Sequence, residues 1–214
     1  MQHKLLADIG NTHMHILDEG KILHLKHQEA IDRYQDRELC YISVSHRLDS
    51  KITQIKRWKD IAANIVLEGT YATMGVDRKA LCLSRRDGLF VDAGSAITVD
   101  IVKDGIYWGG FILPGINAYL ESYRRISPVL DTSINHTIAL DKLPLTTKDG
   151  ISYGIIASIK ALIDQHRDDQ PLYFTGGDGA FLSRFFEDAI YDESLVFQGM
   201  MQALNASEKL EIKN

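Results

Sequence analysis

The sequence contains two similar segments in which an aspartate ends an apolar stretch and a glycine follows two positions later. The first contains Asp8 and Gly10, and the second contains Asp92 and Gly94. A carboxylate beside a tight glycine turn can bring an oxygen ligand and backbone N–H groups to a phosphate and its metal ion. Each segment alone is also typical of an ordinary hairpin turn, because Asp, Gly and Asn are common turn residues. Their repetition favours the phosphate interpretation and indicates an ATP site between two duplicated domains.

Three further glycine-containing motifs could contribute to a site. Gly75 precedes Asp77 and Arg78, a combination that can present a carboxylate as a base beside a cation that holds an anionic substrate. A surface ion pair explains the same residues without any function. The segments 109–115 and 175–179 adjoin predicted strands, where glycine permits close backbone approach, in the second case to the flat face of a nucleotide. Either segment could also be a simple turn.

The predicted secondary structure repeats along the chain as well. Each half opens with three strands, over 3–9, 13–17 and 21–25 and then over 88–92, 96–102 and 106–113, with glycine turns between the second and third strands of each set. Helices are predicted over 48–58 and 147–166, and short strands over 65–67 and 195–197. We therefore predict an α/β protein with an N-terminal domain over 1–86 and a C-terminal domain over 87–214.

Composition excludes several classes of protein. The formal net charge of −5 argues against a nucleic-acid-binding protein, which would need a basic face. Cys40 and Cys82 lie in apolar contexts and are predicted to be free thiols in a reducing compartment. No signal peptide and no apolar stretch of membrane-spanning length is recognised, so we expect a cytoplasmic protein without a membrane partner. The P-loop pattern and zinc-ligand spacings are absent from the sequence.

Taken in order, the motifs resemble type III pantothenate kinase, of the acetate and sugar kinase/heat-shock chaperone/actin superfamily. Each motif is weak by itself, but five in the same order with suitable spacing are specific, and they span residues 8–177. The matching motifs are Asp8-x-Gly10-Asn11-Thr12, Gly75-x-Asp77-Arg78, Asp92-x-Gly94-Ser95-Ala96-x-Thr98-x-Asp100, Gly109-Gly110-x-Ile112-x-Pro114-Gly115 and Thr175-Gly176-Gly177.

The resemblance implies a fold, a reaction and partners. The fold would be two duplicated ribonuclease-H-like (actin-like ATPase) domains with a cleft between them. The reaction would be phosphorylation of pantothenate by ATP, the first step towards coenzyme A. The resemblance also implies a homodimer, a divalent ion such as Mg²⁺, and a monovalent cation, K⁺ or NH₄⁺.

The resemblance further implies roles for individual residues by matching position. Asp77 would accept the proton of the substrate hydroxyl, and Asp92 would bind the monovalent cation. Ser95 stands where the family usually has Thr, which keeps the hydroxyl, and Lys79 stands where many members have an aromatic residue. The implied ATP-binding residues are Asp8, Ile9, Gly10, Asn11, Thr12, His13, Met14, His15 and Ser95. The implied pantothenate-binding residues are Tyr71, Gly75, Val76, Asp77, Arg78 and Thr147.

Two alternatives remain beside this interpretation. Another small-molecule kinase or an exopolyphosphatase of the superfamily would share both Asp-x-Gly turns but would not be expected to carry the Gly-x-Asp-Arg motif. A non-catalytic regulatory protein on the same fold would be expected to lose Asp8, Asp77 or Asp92, and all three are present.

Overall fold

The computed structural model describes residues 4–45 and 47–211, and the chain forms two compact units. The first unit gathers residues within 1–86, 102–108 and 193–214, and the second gathers 87–101 and 109–192. The sequence prediction placed 193–214 with the second half of the chain. The predicted domain bounds, 1–86 and 87–214, follow the repeat in the sequence, whereas the two units are defined by contacts between residues. The predicted bounds therefore stay a prediction.

The first sheet has five strands in the order β3-β2-β1-β4-β5. Its strands are β1 (Leu6–Ile9), β2 (Met14–Asp18), β3 (Lys21–Leu25), β4 (Leu39–Ser43) and β5 (Trp58–Asp60). The first three form an antiparallel meander, whereas β4 pairs parallel to β1 and β5 parallel to β4. Glu19 and Gly20 join β2 to β3 with positive φ angles of 49° and 80°, as the favoured two-residue hairpin turn requires.

The second sheet repeats this topology. Its strands are β6 (Gly88–Ala93), β7 (Ala96–Lys103), β8 (Ile106–Pro114), β9 (Leu172–Thr175) and β10 (Ala189–Tyr191). Their order is β8-β7-β6-β9-β10, so the first strand of the set again lies at the centre of its sheet. β9 pairs parallel to β6, and β10 pairs parallel to β9. This repeated order confirms the predicted duplicated ribonuclease-H-like fold.

The helices cover the sheets and link their parallel strands. They are α1 (His27–Tyr34), α2 (Asp49–Ile52), α3 (Val76–Leu83), α4 (Ile116–Ile126), α5 (Thr147–His166), α6 (Gly179–Ser183) and α7 (Leu195–Glu211). Short 3₁₀ turns occur over 62–64 and 128–130. Among the residues that the structure describes, no helix is both long enough and apolar enough to cross a bilayer.

Each unit has its own apolar core around its central strand. In the first, Ile9 and Met14 are fully buried and pack with Ile31 and Tyr34 of α1. In the second, Leu89, Val91, Ile155 and Ile159 are among the buried residues that join β6 to α5. Because β1 and β6 are anchored in these cores, their carboxyl-terminal residues Asp8 and Asp92 are held on rigid elements.

Several predicted elements are wrong in detail. Residues 195–197, predicted as a strand, form the first turn of α7, and all three are buried. The helix predicted over 48–58 is limited to α2, and Trp58 begins β5. Residues 65–67 lie outside any strand, although Glu68 forms an isolated bridge to Ile106. The predicted start of the first strand at residue 3 and the last residues of the chain, 212–214, lie outside the described residues.

Candidate active site

The turn after β1 is held by backbone hydrogen bonds. The N–H of Gly10 donates to the carbonyl of His13 at 3.0 Å, which closes the turn between β1 and β2. The Nε2–H of His27 donates to the carbonyl of Gly10 at 2.9 Å, so α1 fixes the same turn. Asn11 and Thr12 at its tip are exposed. The turn therefore presents these side chains and its backbone from a fixed position at the carboxyl end of β1.

A row of polar side chains crosses the first sheet beside this turn. The strand register places His15 opposite both Asp8 and His24. The Nδ1 atoms of His15 and His24 lie 2.6 Å apart, so one ring donates a hydrogen bond to the other. Burial and the neighbouring His24 and His13 lower the pKa of His15 from 6.5 to about 4. His15 is therefore neutral at neutral pH.

Asp77 lies in the first turn of α3, two residues after the N-cap residue Gly75. The backbone N–H of Arg78 donates to Asp77 Oδ1 at 2.7 Å. A Cβ atom on Gly75 would overlap this same oxygen, so only glycine leaves the carboxylate where it is. The N-terminal end of a helix also favours a negative charge. The local structure thus fixes a carboxylate with one oxygen bound to the backbone.

The Asp77 turn lies at the same edge of the first sheet as the Asp8 turn. The Cβ position of Gly75 is 3.7 Å from Cγ1 of Val44, the residue directly after β4. The N–H of Val44 in turn donates to the carbonyl of Ile9 at the end of β1. The carboxyl ends of β1 and β4 therefore bring together two motifs that are far apart in sequence.

Arg78 and Tyr71 form a hydrogen-bonded pair beside Asp77. Arg78 is only 7% exposed, and its Nη1 donates to the Tyr71 hydroxyl at 2.7 Å. The Tyr71 ring is 46% exposed and lies 6.2 Å from the ring of Tyr107, measured between centroids. A buried cation under an accessible tyrosine can bind a polar, anionic substrate. Tyr107 reaches this cluster from β8, and no motif in the sequence predicted it.

Three glycine motifs converge at the carboxyl edge of the second sheet. Asp92 pairs in register with Thr175 of β9, and a Cβ atom on Gly176 would meet Asp92 Oδ1 and the carbonyl oxygen of Ala93. Gly176 has a φ of +82°, which favours glycine in its own right. On the other side, the N–H of Gly115 donates to the carbonyl of Ser95 at 3.2 Å. The structure therefore brings the last three of the five motifs into contact.

The remaining predicted residues lie on this second unit. Ser95 is exposed at the tip of the turn after β6. Thr147 is the exposed first residue of α5, next to Thr146, whose hydroxyl accepts a hydrogen bond from the N–H of Asp149. Asn135 Nδ2 and the Thr146 hydroxyl each donate to the Asp149 carboxylate at 2.8 Å, and these two bonds lower the pKa of that carboxyl. Across residues 4–45 and 47–211, no cluster of three His, Cys, Asp or Glu side chains suits a metal ion.

Comparison with known proteins gives a consistent result at the level of sequence. The profile of the type III pantothenate kinase family matches residues 42–168. A type III pantothenate kinase of Wolinella succinogenes is 41% identical over 201 residues, which cover 94% of this chain and 96% of that protein. Another, from Campylobacter jejuni strain RM1221, is 39% identical over 206 residues, which cover 96% and 99% of the two chains.

The solved structures that are similar to this one include two that are informative. A Campylobacter jejuni protein described as a conserved candidate transcriptional activator of the Baf family superposes with a TM-score of 0.87 at 38% identity, covering 96% of this chain and 99% of that chain. The activator of a 2-hydroxyisocaproyl-CoA dehydratase from Clostridium difficile, with bound ADPNP, superposes with a TM-score of 0.56 at 10% identity, covering 96% and 97%. The second likeness shows the fold alone.

Proposed function

This chain belongs to the type III pantothenate kinase family, and from that premise we propose that it phosphorylates pantothenate with ATP, the first step towards coenzyme A. The observation that supports this most strongly is the Gly75–Arg78 turn. It combines a fixed carboxylate, a buried guanidinium and the accessible Tyr71 at the edge of the sheet that also carries the Asp8 turn. A phosphoryl transfer needs mainly positioning and charge stabilisation, which such a turn can provide.

In the proposed reaction, Asp77 is the general base. Its carboxylate accepts the proton of the primary hydroxyl of pantothenate as that oxygen attacks the γ-phosphorus of ATP. The bond between the attacking oxygen and phosphorus forms, the bond from phosphorus to the β,γ-bridging oxygen breaks, and ADP leaves with the electron pair. Asp77 Oδ1 is held by the N–H of Arg78, so the group is oriented before the substrate binds.

The two Asp-x-Gly turns are proposed to contact the phosphates of ATP. Gly10, Asn11 and Thr12 would offer N–H and hydroxyl donors from one turn, and Gly94 and Ser95 from the other. His13, Met14 and His15 belong to the same proposed segment, and a neutral His15 can donate or accept a hydrogen bond there.

Asp8 and Asp92 are the residues proposed to hold cations. Asp92 would bind a monovalent cation, as the family implies, because hard cations prefer oxygen ligands. Gly176 packs closely against its carboxylate, since a Cβ atom there would overlap Asp92 Oδ1. Asp8 would hold Mg²⁺ through water, as suits an ion that keeps much of its hydration. When bound, these cations supply positive charge that stabilises the transferring phosphoryl group.

The pantothenate side of the site is proposed to consist of Tyr71, Gly75, Val76, Arg78 and Thr147. Arg78 would pair with the carboxylate of pantothenate, and the Tyr71 hydroxyl orients its guanidinium. We propose that the enzyme works as a homodimer, as the family implies. A cytoplasmic location belongs to the same proposal, since Cys40 and Cys82 are free thiols and ATP is an intracellular donor.

One observation favours a second candidate, a regulatory protein. The Campylobacter jejuni structure that superposes at 38% identity is described as a candidate transcriptional activator. A regulator without catalysis would have no need of a glycine that leaves space for the Asp77 carboxylate. Measuring ADP release with and without pantothenate distinguishes the two functions, because only the kinase converts ATP and pantothenate to ADP and a phosphate ester.

The experiment is an assay of ADP release by the purified protein with ATP and Mg²⁺, with and without pantothenate, in potassium and in sodium buffer. We expect pantothenate-dependent turnover that needs potassium or ammonium. Asp77→Asn should lower kcat strongly while ATP still binds, and Asp92→Asn should abolish activation by potassium. The exposed Asp36→Asn serves as the control. A folded protein that binds ATP but shows no pantothenate-dependent turnover in any cation would favour the regulator.

A further inference from the structure

Asp178 occupies a place in the second unit that the proposed reaction does not use. It follows the Gly176-Gly177 pair at the carboxyl end of β9. Its backbone N–H donates to the carbonyl of Ala93 at 2.9 Å, next to the Gly94 turn. Ligands of open α/β sheets bind beyond the carboxyl ends of the parallel strands. Asp178 is therefore fixed directly beside the turn that is proposed to contact the phosphates of ATP.

The carboxylate of Asp178 lacks the hydrogen bonds that a half-buried charged group normally has. Within the described ranges 4–45 and 47–211, its side-chain oxygens accept no hydrogen bond from the protein. Burial raises the pKa of this carboxyl, and the nearby His136 acts in the opposite direction. Half-buried polar groups are usually satisfied by protein, water or ligand. The arrangement thus leaves a hydrogen-bond acceptor open to a bound molecule.

His136, which acts electrostatically on this carboxyl, contacts Phe181 of α6. The two rings meet edge to face with centroids 4.8 Å apart and an interplanar angle of 70°. The loop that carries His136 is tied to α5, because the N–H of Asn135 donates to Ser152 Oγ at 2.9 Å. The position of the His136 ring is therefore fixed by its contact with α6 and by the hydrogen bond of its neighbour Asn135 with α5.

The chemistry of the carboxylate limits what can bind there. An ionised carboxylate only accepts hydrogen bonds, so its ligand must donate them, and a phosphate group would be repelled. In a nucleotide, the sugar is the next group after the α-phosphate, and its vicinal hydroxyls can donate to the two oxygens of one carboxylate. Dinucleotide-binding folds use an acidic residue for ribose hydroxyls in this way. Gly177 adds no side chain that would fill the space, and no atom lies within 4 Å of its Cβ position.

We propose that Asp178 accepts hydrogen bonds from the ribose hydroxyls of the nucleotide and thereby selects ribonucleotide over deoxyribonucleotide donors. The proposal rests on the proposed function, because it takes ATP as the donor. Asp178 is then a specificity-determining residue.

The test measures nucleotide binding to the full-length protein by calorimetry, independently of pantothenate. The ligands are ADP, 2′-deoxyADP and 3′-deoxyADP, and the proteins are wild type, Asp178→Ala and Asp178→Asn. We expect wild type to bind ADP about tenfold more tightly than at least one deoxy analogue. The loss of one hydrogen bond to a charged group raises a dissociation constant by about this factor. Asp178→Ala should bind all three nucleotides equally. Asp178→Asn reports on the same site if the alanine variant does not fold.

Controls separate this proposal from the proposed function. The exposed Asp188→Asn, on the same unit, should keep the wild-type preference. In kinetic assays, Asp178→Ala should raise the KM for ATP and leave the KM for pantothenate unchanged. Equal binding of ADP and both deoxy analogues by wild type, or a preference that survives in Asp178→Ala, would overturn the proposal. A wild-type protein that discriminates between the nucleotides but does not phosphorylate pantothenate would contradict only the proposed function.

Discussion

The position of the Asp77 carboxylate depends on the absence of a side chain at Gly75. A methyl group there would overlap Asp77 Oδ1. We predict that Gly75→Ala turns this carboxylate away from its hydrogen bond with the N–H of Arg78 and lowers kcat at least tenfold, since a base must be within reach of its proton. Steady-state kinetics with pantothenate measure the change.

A matched control for this variant is Gly154→Ala, in which the new methyl group would meet only the Tyr123 hydroxyl, at 3.9 Å. It should keep the wild-type kcat. Equal kcat values for Gly75→Ala and Gly154→Ala would show that the space at Gly75 does not orient the base.

His15 makes the stability of the protein depend on pH. Its pKa is lowered from 6.5 to about 4 by burial, by His24 and by His13, so the unfolded chain binds more protons between these values. We predict that the free energy of unfolding falls as the pH is lowered from 6.5 towards 4, by at most about 1.4 kcal/mol per pH unit. Urea titrations across this range measure it. His15→Gln should reduce the slope, whereas the exposed His166→Gln should leave it unchanged.

Some of these residue contacts could have been predicted from the sequence and others could not. The two-residue turn at Glu19 and Gly20 fixes the register of β2 and β3, so it also fixes His24 opposite His15. The contact of Tyr107 with Tyr71 has no such local signal, because the two residues belong to separate elements. The roles of the predicted site residues stay predictions.

Among the elements, those with clear boundaries in the sequence were predicted well. α5 spans Thr147–His166 as predicted, and its N-cap Thr146 accepts a hydrogen bond from the N–H of Asp149, as capping residues do. The predicted strand at 195–197 failed because three consecutive apolar residues are compatible with a buried strand and with a buried helical turn. Burial against α3, rather than local propensity, determines the helix there.

The packing of α7 on α3 requires a glycine at position 199. A Cβ atom there would lie inside the contact distance of the Ala80 carbonyl, which is backbone and cannot move aside easily. We predict that Gly199→Ala lowers the free energy of unfolding by about 1–3 kcal/mol, as overpacking does, measured by urea denaturation. Gly154→Ala, also in a helix but with space for a methyl group, should be neutral or stabilising. Equal stability of both variants would contradict the close contact.

An ion pair connects the end of β2 to the residues after α1. Arg37 donates two hydrogen bonds to Asp18, at 2.6 and 2.9 Å, and lowers the pKa of that carboxyl. A lowered carboxyl pKa stabilises the fold above its unfolded value of 3.8, and this contribution is lost as the pH falls below it. We predict that Arg37→Gln costs about 1 kcal/mol at pH 7 and much less near pH 3, measured by denaturation at both values. A pH-independent cost would show that packing, not charge, is involved.

For the whole molecule, the duplication could be predicted because the same motif and the same three-stranded opening occur twice in the sequence. The two sheets have the same strand order, which confirms this. The grouping of residues 102–108 and 193–214 with the first unit could not be predicted. It arises from contacts between segments that are distant in sequence, such as that of Gly199 with Ala80.

The proposed transfer of a phosphoryl group to pantothenate is tested most directly by observing the phosphate ester that it forms. Purified protein, ATP, Mg²⁺, potassium and pantothenate are incubated, and ³¹P NMR follows the phosphorus signals. We expect a new phosphate monoester signal that grows in step with ADP, needs pantothenate, and is greatly reduced with Asp77→Asn. ADP and inorganic phosphate without the ester, or no change in the ATP signals from a folded protein, would contradict it.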